Sequence, residues 1–218
     1  MRRPLCAATL AVILAPLLLG HCSCAVFAWL AAKFSPPDKV EAQFELPSGK
    51  TVLVFVDDIL RPVSHEPVKI ELTNRLNEYL VANKVAARTV SYDRLADLVA
   101  GTPNFNLLAV SEVGQKLAAD VVLYVQIDEF ALKDEAAEQL WHGRLRATVR
   151  MVDVAKGRLW PKNRPAGYSL PAVETPTVAQ SSDTGADEIA RTLAAMMADQ
   201  VAKLFYEHEE PHKIDWPK

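Results

Sequence analysis

The chain has 218 residues, half of them hydrophobic, and a formal net charge of −3 at pH 7. This length allows one domain of ordinary size with appendages, and a mildly acidic chain without a basic stripe argues against nucleic acid as a partner. The cysteines are Cys6, Cys22 and Cys24, all near the N-terminus, so the rest of the chain must be stabilised by core packing and not by disulfides.

The N-terminal segment, residues 1–32, has the profile of an export signal: two arginines precede an uncharged apolar run. Leu19 and Cys22 match a lipoprotein processing site, whereas His21 does not. Two interpretations stay open, a cleaved signal with lipidation of Cys22 or an uncleaved anchor, because the segment exceeds the about 20 apolar residues that span a bilayer. Both predict that the domain lies on the extracytoplasmic side. A buried helix of a cytoplasmic protein is less favoured, because it would usually show a polar stripe.

The remainder divides into three parts by composition. Residues 33–50 contain three prolines and are predicted to form a tether. Residues 51–207 carry the periodic apolar patterns of a single domain. Residues 208–218 are polar and proline-interrupted, which predicts a flexible tail.

The first half of the domain alternates between strand and helix patterns. The patterns predict a strand over 51–56, a helix over 66–82 that ends at Asn83, a strand over 85–90 and a short helix over 93–99. A further short helix is expected from the spacing of Leu107, Val110, Val113 and Leu117, which share one face.

The centre of the chain predicts an interior strand over 121–127, because apolar residues occupy both faces. The next strand alternates Leu145, Ala147, Val149 and Met151 with polar residues, so it should have one buried face and one wet face. Residues 153–157 supply a turn, and 158–160 the returning strand of a hairpin. The order β-α-β-α-β-β predicts a mixed α/β fold, a sheet of four to five strands backed by helices.

The C-terminal part begins with a proline-rich stretch, residues 162–183, which predicts a long loop or an irregular edge strand. Asp183 or Thr184 can cap a last helix, which should pack on the sheet or on a partner. Its apolar stripe consists of Ile189, Leu193, Met197, Val201, Leu204 and Phe205.

Two motifs flank the interior strand. They are Gly114, Leu117, Ala118, Ala119 and Asp120 before it, and Val152, Asp153, Lys156 and Gly157 in the hairpin turn after it. This order resembles the extracytoplasmic α/β domain shared by the curli-secretion lipoprotein CsgG, the penicillin-binding-protein activator LpoB and the N-terminal domain of TolB. Those families have glycine at the position of Ala118 and threonine at that of Lys156. The resemblance covers about residues 50–160. It implies a binding module, since the secretion pore of CsgG would need longer alternating hairpins.

Candidate catalytic residues are few. Asp57 and Asp58 follow the first strand, where open α/β sheets often place their sites. Adjacent residues on an extended chain point to opposite faces, however, so they form a poor acid–base pair. His142 is predicted to lie in a hairpin loop without a nucleophile motif. No phosphate-binding glycine motif is present, so we expect no catalytic residue and no cofactor.

A metal site could be built near the C-terminus, because imidazole and carboxylate groups suit zinc. The residues are His208, Glu209, Glu210 and His212. A solvated helix end is the more ordinary interpretation, since no second cluster accompanies them, so we expect no metal.

A partner surface is predicted in the acidic segment 129–141. Phe130, Leu140 and Trp141 lie there among carboxylates, and aromatic groups with an acidic rim are typical of protein-binding surfaces. The alternative is a solvated turn with its apolar side on the core. The leading hypothesis is a membrane-tethered, extracytoplasmic protein-binding module of bacterial envelope assembly or secretion. The alternative is an extracytoplasmic hydrolase or metal-dependent enzyme that uses Asp57, Asp58 or the histidines.

Overall fold

The computed structural model describes residues 37–58, 62–63, 65–133, 140–179 and 185–210. The export segment with Cys22, the capping residues Asp183 and Thr184, and His212 lie outside these ranges. The chain divides into two compact units, Glu41–Glu207 and Met1–Val40 with His208–Lys218. No helix in the described ranges has both the length and the apolar character needed to span a bilayer.

The strands are β1 (Asp38–Val40), β2 (Thr51–Asp57), β3 (Arg88–Thr89), β4 (Val121–Lys133), β5 (Leu140–Asp153), β6 (Gly157–Trp160), β7 (Tyr168–Ser169), β8 (Val173–Glu174), β9 (Val178–Ala179) and β10 (His208–Glu210). The helices are α1 (Glu66–Ala82), α2 (Tyr92–Gly101), α3 (Val110–Lys116) and α4 (Ala186–Lys203), with a 3₁₀ turn at Phe105–Leu107.

The larger unit is built on one mixed sheet in the order β3-β2-β4-β5-β6. Strand β2 is parallel to both β3 and β4, whereas β5 is antiparallel to β4 and to β6. Three two-residue strands, β7, β8 and β9, pair with β5 from the proline-rich stretch. The predicted mixed α/β fold is confirmed.

Helices cover both faces of the sheet. On one face, α1 and α4 contact each other and enclose a core in which Leu72, Leu123, Leu145 and Met197 are fully buried. The stripe predicted for α4 faces this core, so the helix packs on the sheet. On the other face, a smaller cluster joins α2 and α3 to Leu53, Val122 and Tyr124. The interior strand therefore has the two buried faces that its sequence predicts.

The hairpin of β4 and β5 departs from the prediction. The sequence indicated a loop over 129–141, but β4 continues to Lys133 and β5 begins at Leu140, with residues 134–139 outside the described ranges. His142 consequently lies in a strand and not in a loop. Glu129, one of the residues that suggested a loop, lies on β4, where it pairs with Arg144 and Arg146 of the neighbouring strand.

Helix α4 approaches this hairpin closely because Gly143 has no side chain. A Cβ on Gly143 would lie 2.6 Å from the Cγ2 of Ile189 and 2.8 Å from the Cδ1 of Leu193. The backbone N–H of Gly143 donates to the Oγ1 of buried Thr175 at 2.9 Å. The hairpin is thus fixed to α4 on one face.

Two further predictions need correction. The strand predicted over 85–90 is reduced to Arg88–Thr89, the only two residues there that pair with β2. Leu107 is 77% exposed, because it lies in the 3₁₀ turn before α3 and not on the helix face. The larger unit begins at Glu41, and Phe44 and Leu46 pack against its core.

The smaller unit contains one short antiparallel sheet. Strand β1 pairs with β10, with Asp38 opposite Glu210 and Val40 opposite His208. The predicted tail therefore begins with a paired strand.

Candidate functional site

A cavity of about 590 Å³ opens at the C-terminal end of β2. Its walls come from the end of β2, the start of α1, helix α2, the segment 105–110 and Tyr124 of β4. The neighbouring strands β2 and β3 lead into helices on opposite faces of the sheet, α1 and α2. In open α/β sheets, such a reversal leaves a crevice where ligands bind.

Three carboxylates and one ammonium group line this cavity. Asp58 accepts a hydrogen bond from the backbone N–H of Val63 at 2.8 Å, and its Oδ1 lies 3.5 Å from the Nζ of Lys69. The same Nζ lies 3.3 Å from the Oε2 of Glu66. Asp57 is the third carboxylate. Lys69 thus pairs with two of the three acids, Asp58 and Glu66.

Two tyrosines hold these carboxylates in place. The hydroxyl of Tyr124 donates to the Oδ2 of Asp57, and that of Tyr92 donates to the Oε1 of Glu66 at 2.6 Å. Burial, followed by the bond to Glu66, raises the pKa of Tyr92 to about 12. Burial and the bond to Asp57 also raise the pKa of Tyr124. Both phenols therefore stay protonated near neutral pH and donate hydrogen bonds.

Aromatic rings form the apolar side of the cavity. The ring of Phe55 meets that of Tyr124 edge to face at 5.5 Å and that of Phe105 at 5.9 Å. Val99, which also lines the cavity, is an apolar residue that is 45% exposed. The cavity thus combines an aromatic wall, an apolar rim and a small acidic group, as ligand pockets commonly do.

The two aspartates are arranged differently from the sequence-based expectation. Both line the same cavity, because β2 ends at Asp57 and Asp58 is free of the strand's alternation. Their oxygens are nevertheless engaged by Tyr124, Lys69 and the backbone of Val63. This arrangement orients the carboxylates for binding, and it provides no serine, cysteine or histidine for covalent or general-base chemistry.

His142 and His208 are not among the residues that line the cavity. His142 lies on β5, with its Nε2 3.9 Å from Glu174 and its Nδ1 3.2 Å from the Oγ1 of Thr177. His208 on β10 lies 3.6 Å from Glu210. Within the described ranges, no three His, Cys, Asp or Glu side chains converge as metal ligands would.

The end of the β4–β5 hairpin holds the three predicted partner-binding residues. Phe130 and Trp141 are half-buried and pack against the larger core. Lys133 lies opposite Trp141, with its Nζ 5.2 Å from the ring centroid. Leu140 precedes Trp141 in the same strand and therefore faces the opposite side of the sheet. The structure brings the three residues to one end of the hairpin but not to one face.

Charged side chains occupy the face opposite the core. The guanidinium of Arg144 binds Glu129 at 2.9 Å and Glu174 at 2.7 Å, and Arg146 lies 3.6 Å from Glu129. This ladder neutralises Glu129, which belongs to the acidic rim predicted from the sequence. The described strands of the hairpin, residues 121–133 and 140–153, carry three acidic and four basic side chains, so they are not an acidic surface.

Sequence reasoning missed four of the cavity's polar residues, Glu66, Lys69, Tyr92 and Tyr124. They come from three elements that are distant in the chain, so no local motif joins them. A usable signal did exist: Glu66 opens the helix that follows Asp57, and Tyr92 opens the helix after the next strand. Where the order of the strands reverses, the helices that follow the neighbouring strands begin at the same crevice.

No protein-family model and no curated protein matches this chain. Among solved structures, similar chains include the PelC dodecamer from Paraburkholderia phytofirmans, with 16% identity, a TM-score of 0.40 and coverage of 78% of this chain and 97% of that chain. Lipoprotein GNA1162 from Neisseria meningitidis shows 14% identity, a TM-score of 0.35 and coverage of 70% and 96%.

The LpoB C-terminal domain from Salmonella enterica shows 14% identity, a TM-score of 0.34 and coverage of 62% of this chain and 86% of that chain. LpoB, one of the three families that the sequence motifs resemble, is thus a structural neighbour. Bacterial lipoproteins are represented among the neighbours by GNA1162. At such low identities and TM-scores, these likenesses carry no argument for a function of this chain.

Proposed function

We propose that the chain is a membrane-tethered, extracytoplasmic protein-binding module of the bacterial cell envelope, acting in envelope assembly or secretion, and that it is not an enzyme. Its partner is another envelope protein, which docks at the end of the β4–β5 hairpin around Phe130, Leu140 and Trp141.

The length of the hairpin carries this proposal. The pairing of β2 with β4 stops at Asp57 and Gln126, but β4 continues to Lys133. At about 3.4 Å per residue, the two long strands extend roughly 20 Å past the end of β2. The fold does not require this extension, so its end is a place where a binding module can present side chains of its own.

The composition of the hairpin end fits a protein interface. Trp141 is half-buried, so it can gain further burial against a partner, and its ring is already positioned by the core and by Lys133. Leu140 offers an apolar contact on the opposite face, beside the ladder of Arg144. Interfaces are typically enriched in aromatic residues and arginine at such positions.

The contacts of the acidic groups in the cavity support the proposal that the chain is not an enzyme. Asp57 accepts a hydrogen bond from the hydroxyl of Tyr124, and Asp58 accepts one from the backbone N–H of Val63 and contacts Lys69. These contacts orient the two carboxylates, and no serine, cysteine or histidine lines the described cavity beside them as a nucleophile or general base.

The tether is inferred from the sequence. Residues 1–32 carry the export profile and Cys22, so the domain would be held at the membrane either by a lipid on Cys22 or by the apolar segment itself. A partner in the same membrane would then be met at a high effective concentration.

Positional photocrosslinking in envelope membranes tests the proposal. A photoreactive amino acid is placed at Leu140 in one full-length variant, and at Lys156 in the control variant. Lys156 is exposed in the turn between β5 and β6, at the other end of β5. We expect an adduct of defined mass from the Leu140 position and none of that mass from Lys156. The same yield from both positions, or no adduct from Leu140, would contradict the proposed docking site.

A further inference from the structure

A cleft of about 420 Å³ lies beside β6, on a part of the chain that the proposed hairpin interface does not use. Its described walls are the segment 43–44, residues 159–164 and Tyr168. Trp160 pairs with Met151, towards the end of β5 that is remote from the hairpin end. The volume falls within the range of roughly 300–1,000 Å³ that is typical of small-molecule sites.

We propose that this cleft binds a carboxylate or phosphate group carried on a compact apolar body, with the anion at Lys162 and Arg164 and the body against Phe44, Leu159 and Pro161. A guanidinium recognises both anions through the same pair of N–H donors. The ligand is a small molecule, distinct from the envelope protein that docks at the hairpin end.

The charge of the cleft selects an anion. Lys162 and Arg164 are exposed, and among the described residues neither forms an ion pair with an acid. The described lining contains no carboxylate, and the acids that flank the segment 43–44, Glu41 and Glu45, are exposed and do not line the cleft. The two positive charges are therefore uncompensated there, so an anion is attracted and a cation is repelled.

Arg164 is held in place for this role by its neighbours. Its guanidinium carbon lies 5.2 Å from the ring centroid of Tyr168, and Tyr168 in turn stacks on Trp160 at 5.1 Å. The backbone N–H of Gly167 donates to the carbonyl of Arg164 at 3.0 Å, and a Cβ on Gly167 would lie 2.6 Å from the Cγ2 of Thr148, so this turn is pressed against β5. The contact with Tyr168 uses the face of the guanidinium and leaves the N–H donors in its plane for an anion.

The apolar wall receives the body of the ligand. Phe44 is half-buried, and its ring lies 6.4 Å from that of buried Trp160. The backbone N–H of Phe44 also donates to the carbonyl of Leu204 at 3.2 Å, which fixes this segment to the core. Leu159 and Pro161, on either side of Trp160, line the cleft as well. Because the wall is in place before a ligand enters, binding requires little ordering of the protein.

Titration calorimetry on the full-length protein at low ionic strength tests the assignment with three probes of one size: 3-phenylpropionate, 3-phenylpropanol and 3-phenylpropylamine. The three share an apolar body and differ in charge. We expect the acid to bind roughly fivefold to tenfold more tightly than the alcohol, and the amine to bind more weakly than either. Equal affinities for the three probes, or no binding of the acid at millimolar concentration, would overturn the assignment.

Two variants locate the anion, and a third is the control. Arg164→Gln and Lys162→Gln each remove one positive charge from an exposed side chain, so both should fold. Each should lose a large part of the preference for the acid while binding the alcohol as the unmodified protein does, which shows that the cleft is intact. Arg158→Gln removes an exposed charge of β6 that does not line the cleft, and it should change nothing. An unchanged preference in either cleft variant, or an equal loss in Arg158→Gln, would refute the placement of the anion.

Two further probes separate the parts of the ligand. Propionate carries the carboxylate without the ring, and we expect it to bind more weakly than 3-phenylpropionate. Equal affinity would show that only the ion is held and would contradict the proposal. Phenyl phosphate carries the other anion on the same ring. Tighter binding of phenyl phosphate than of 3-phenylpropionate identifies a phosphate ester as the ligand, and the reverse identifies a carboxylic acid.

Discussion

The backbone N–H of Ala119 donates a hydrogen bond to the carbonyl of Gly114 at 2.9 Å, and so closes the C-terminal end of α3. The N–H of Ala118 donates to the carbonyl of Gln115 at 3.1 Å. Together the two bonds form a Schellman motif, in which the residue that donates the second bond adopts the left-handed conformation. That residue is Ala118, with a φ of 54°.

Ala118→Gly should stabilise the protein. A left-handed conformation costs a residue with a Cβ roughly 1–2 kcal/mol, whereas glycine adopts it without that cost but loses more entropy on folding. We expect a net gain of up to about 1 kcal/mol in the free energy of unfolding, measured by urea denaturation. Ala100→Gly, in the ordinary helical backbone of α2, is the control and should lose about 0.5–1 kcal/mol. A loss in both variants would contradict the assigned backbone.

Leu123→Ala should be far more damaging than Arg146→Ala. Leu123 is fully buried in the interior strand, and truncating a buried leucine typically costs about 2–5 kcal/mol. Arg146 is exposed and makes one long ion pair with Glu129, so its loss should cost no more than about 0.5 kcal/mol. Melting curves of the two variants give the comparison. Equal melting temperatures would refute the assigned faces of β4 and β5.

Stability should fall in alkaline solution because of Tyr92 and Tyr124. In the unfolded chain a tyrosine loses its proton near pH 10, but in the folded protein the pKa of Tyr92 is raised to about 12 and that of Tyr124 is also raised. The folded state then binds more protons than the unfolded state. The contribution of the two tyrosines to the free energy of unfolding is therefore fully present below about pH 10 and is lost as the pH rises towards about 12.

The double variant Tyr92→Phe, Tyr124→Phe should show a shallower alkaline decline in urea denaturation. Tyr206, whose pKa burial also raises, accounts for part of the slope that remains. The same slope in the double variant and in the unmodified protein would show that the two phenols are not held in their protonated forms.

Cys22→Ser separates the two possible anchors. If Cys22 is acylated, the substitution should abolish labelling by a palmitate analogue and release the protein from the membrane fraction. If the apolar segment spans the bilayer, membrane retention should be unchanged. Recovery of the unmodified protein as soluble cytosolic material would contradict both forms of the tether.

Much of the fold could be predicted from local patterns. The helix predicted over 66–82 is α1 without any shift, and the turn at Asp153 is confirmed by hydrogen bonds from the N–H groups of Ala155 and Lys156 to its carboxylate. These features depend on periodicity, capping and turn chemistry, all of which act over a few residues.

The remaining features depend on pairing between distant segments. Glu129 suggested a loop, but on β4 it is neutralised across the strand by Arg144 and Arg146, which no local window contains. The cavity likewise joins Asp57 with Tyr124 and Glu66 with Tyr92. Only the order of the strands brings these pairs together, so the sequence indicated the two aspartates but not the groups that hold them.

The most direct test of the proposed function compares the affinity of the photocrosslinked partner for two variants, Trp141→Ala and Tyr168→Ala. Trp141 and Tyr168 are both half-buried against the larger core, so we expect similar losses of melting temperature. Tyr168 stacks on Trp160 at 5.1 Å and is not part of the hairpin end, which makes it the matched control.

Truncating a central tryptophan of an interface typically costs about 2 kcal/mol or more, which is roughly a thirtyfold loss of affinity. The account predicts that loss for Trp141→Ala and near-normal affinity for Tyr168→Ala. Equal affinity in the two variants, whether retained or lost, would contradict docking at the end of the β4–β5 hairpin.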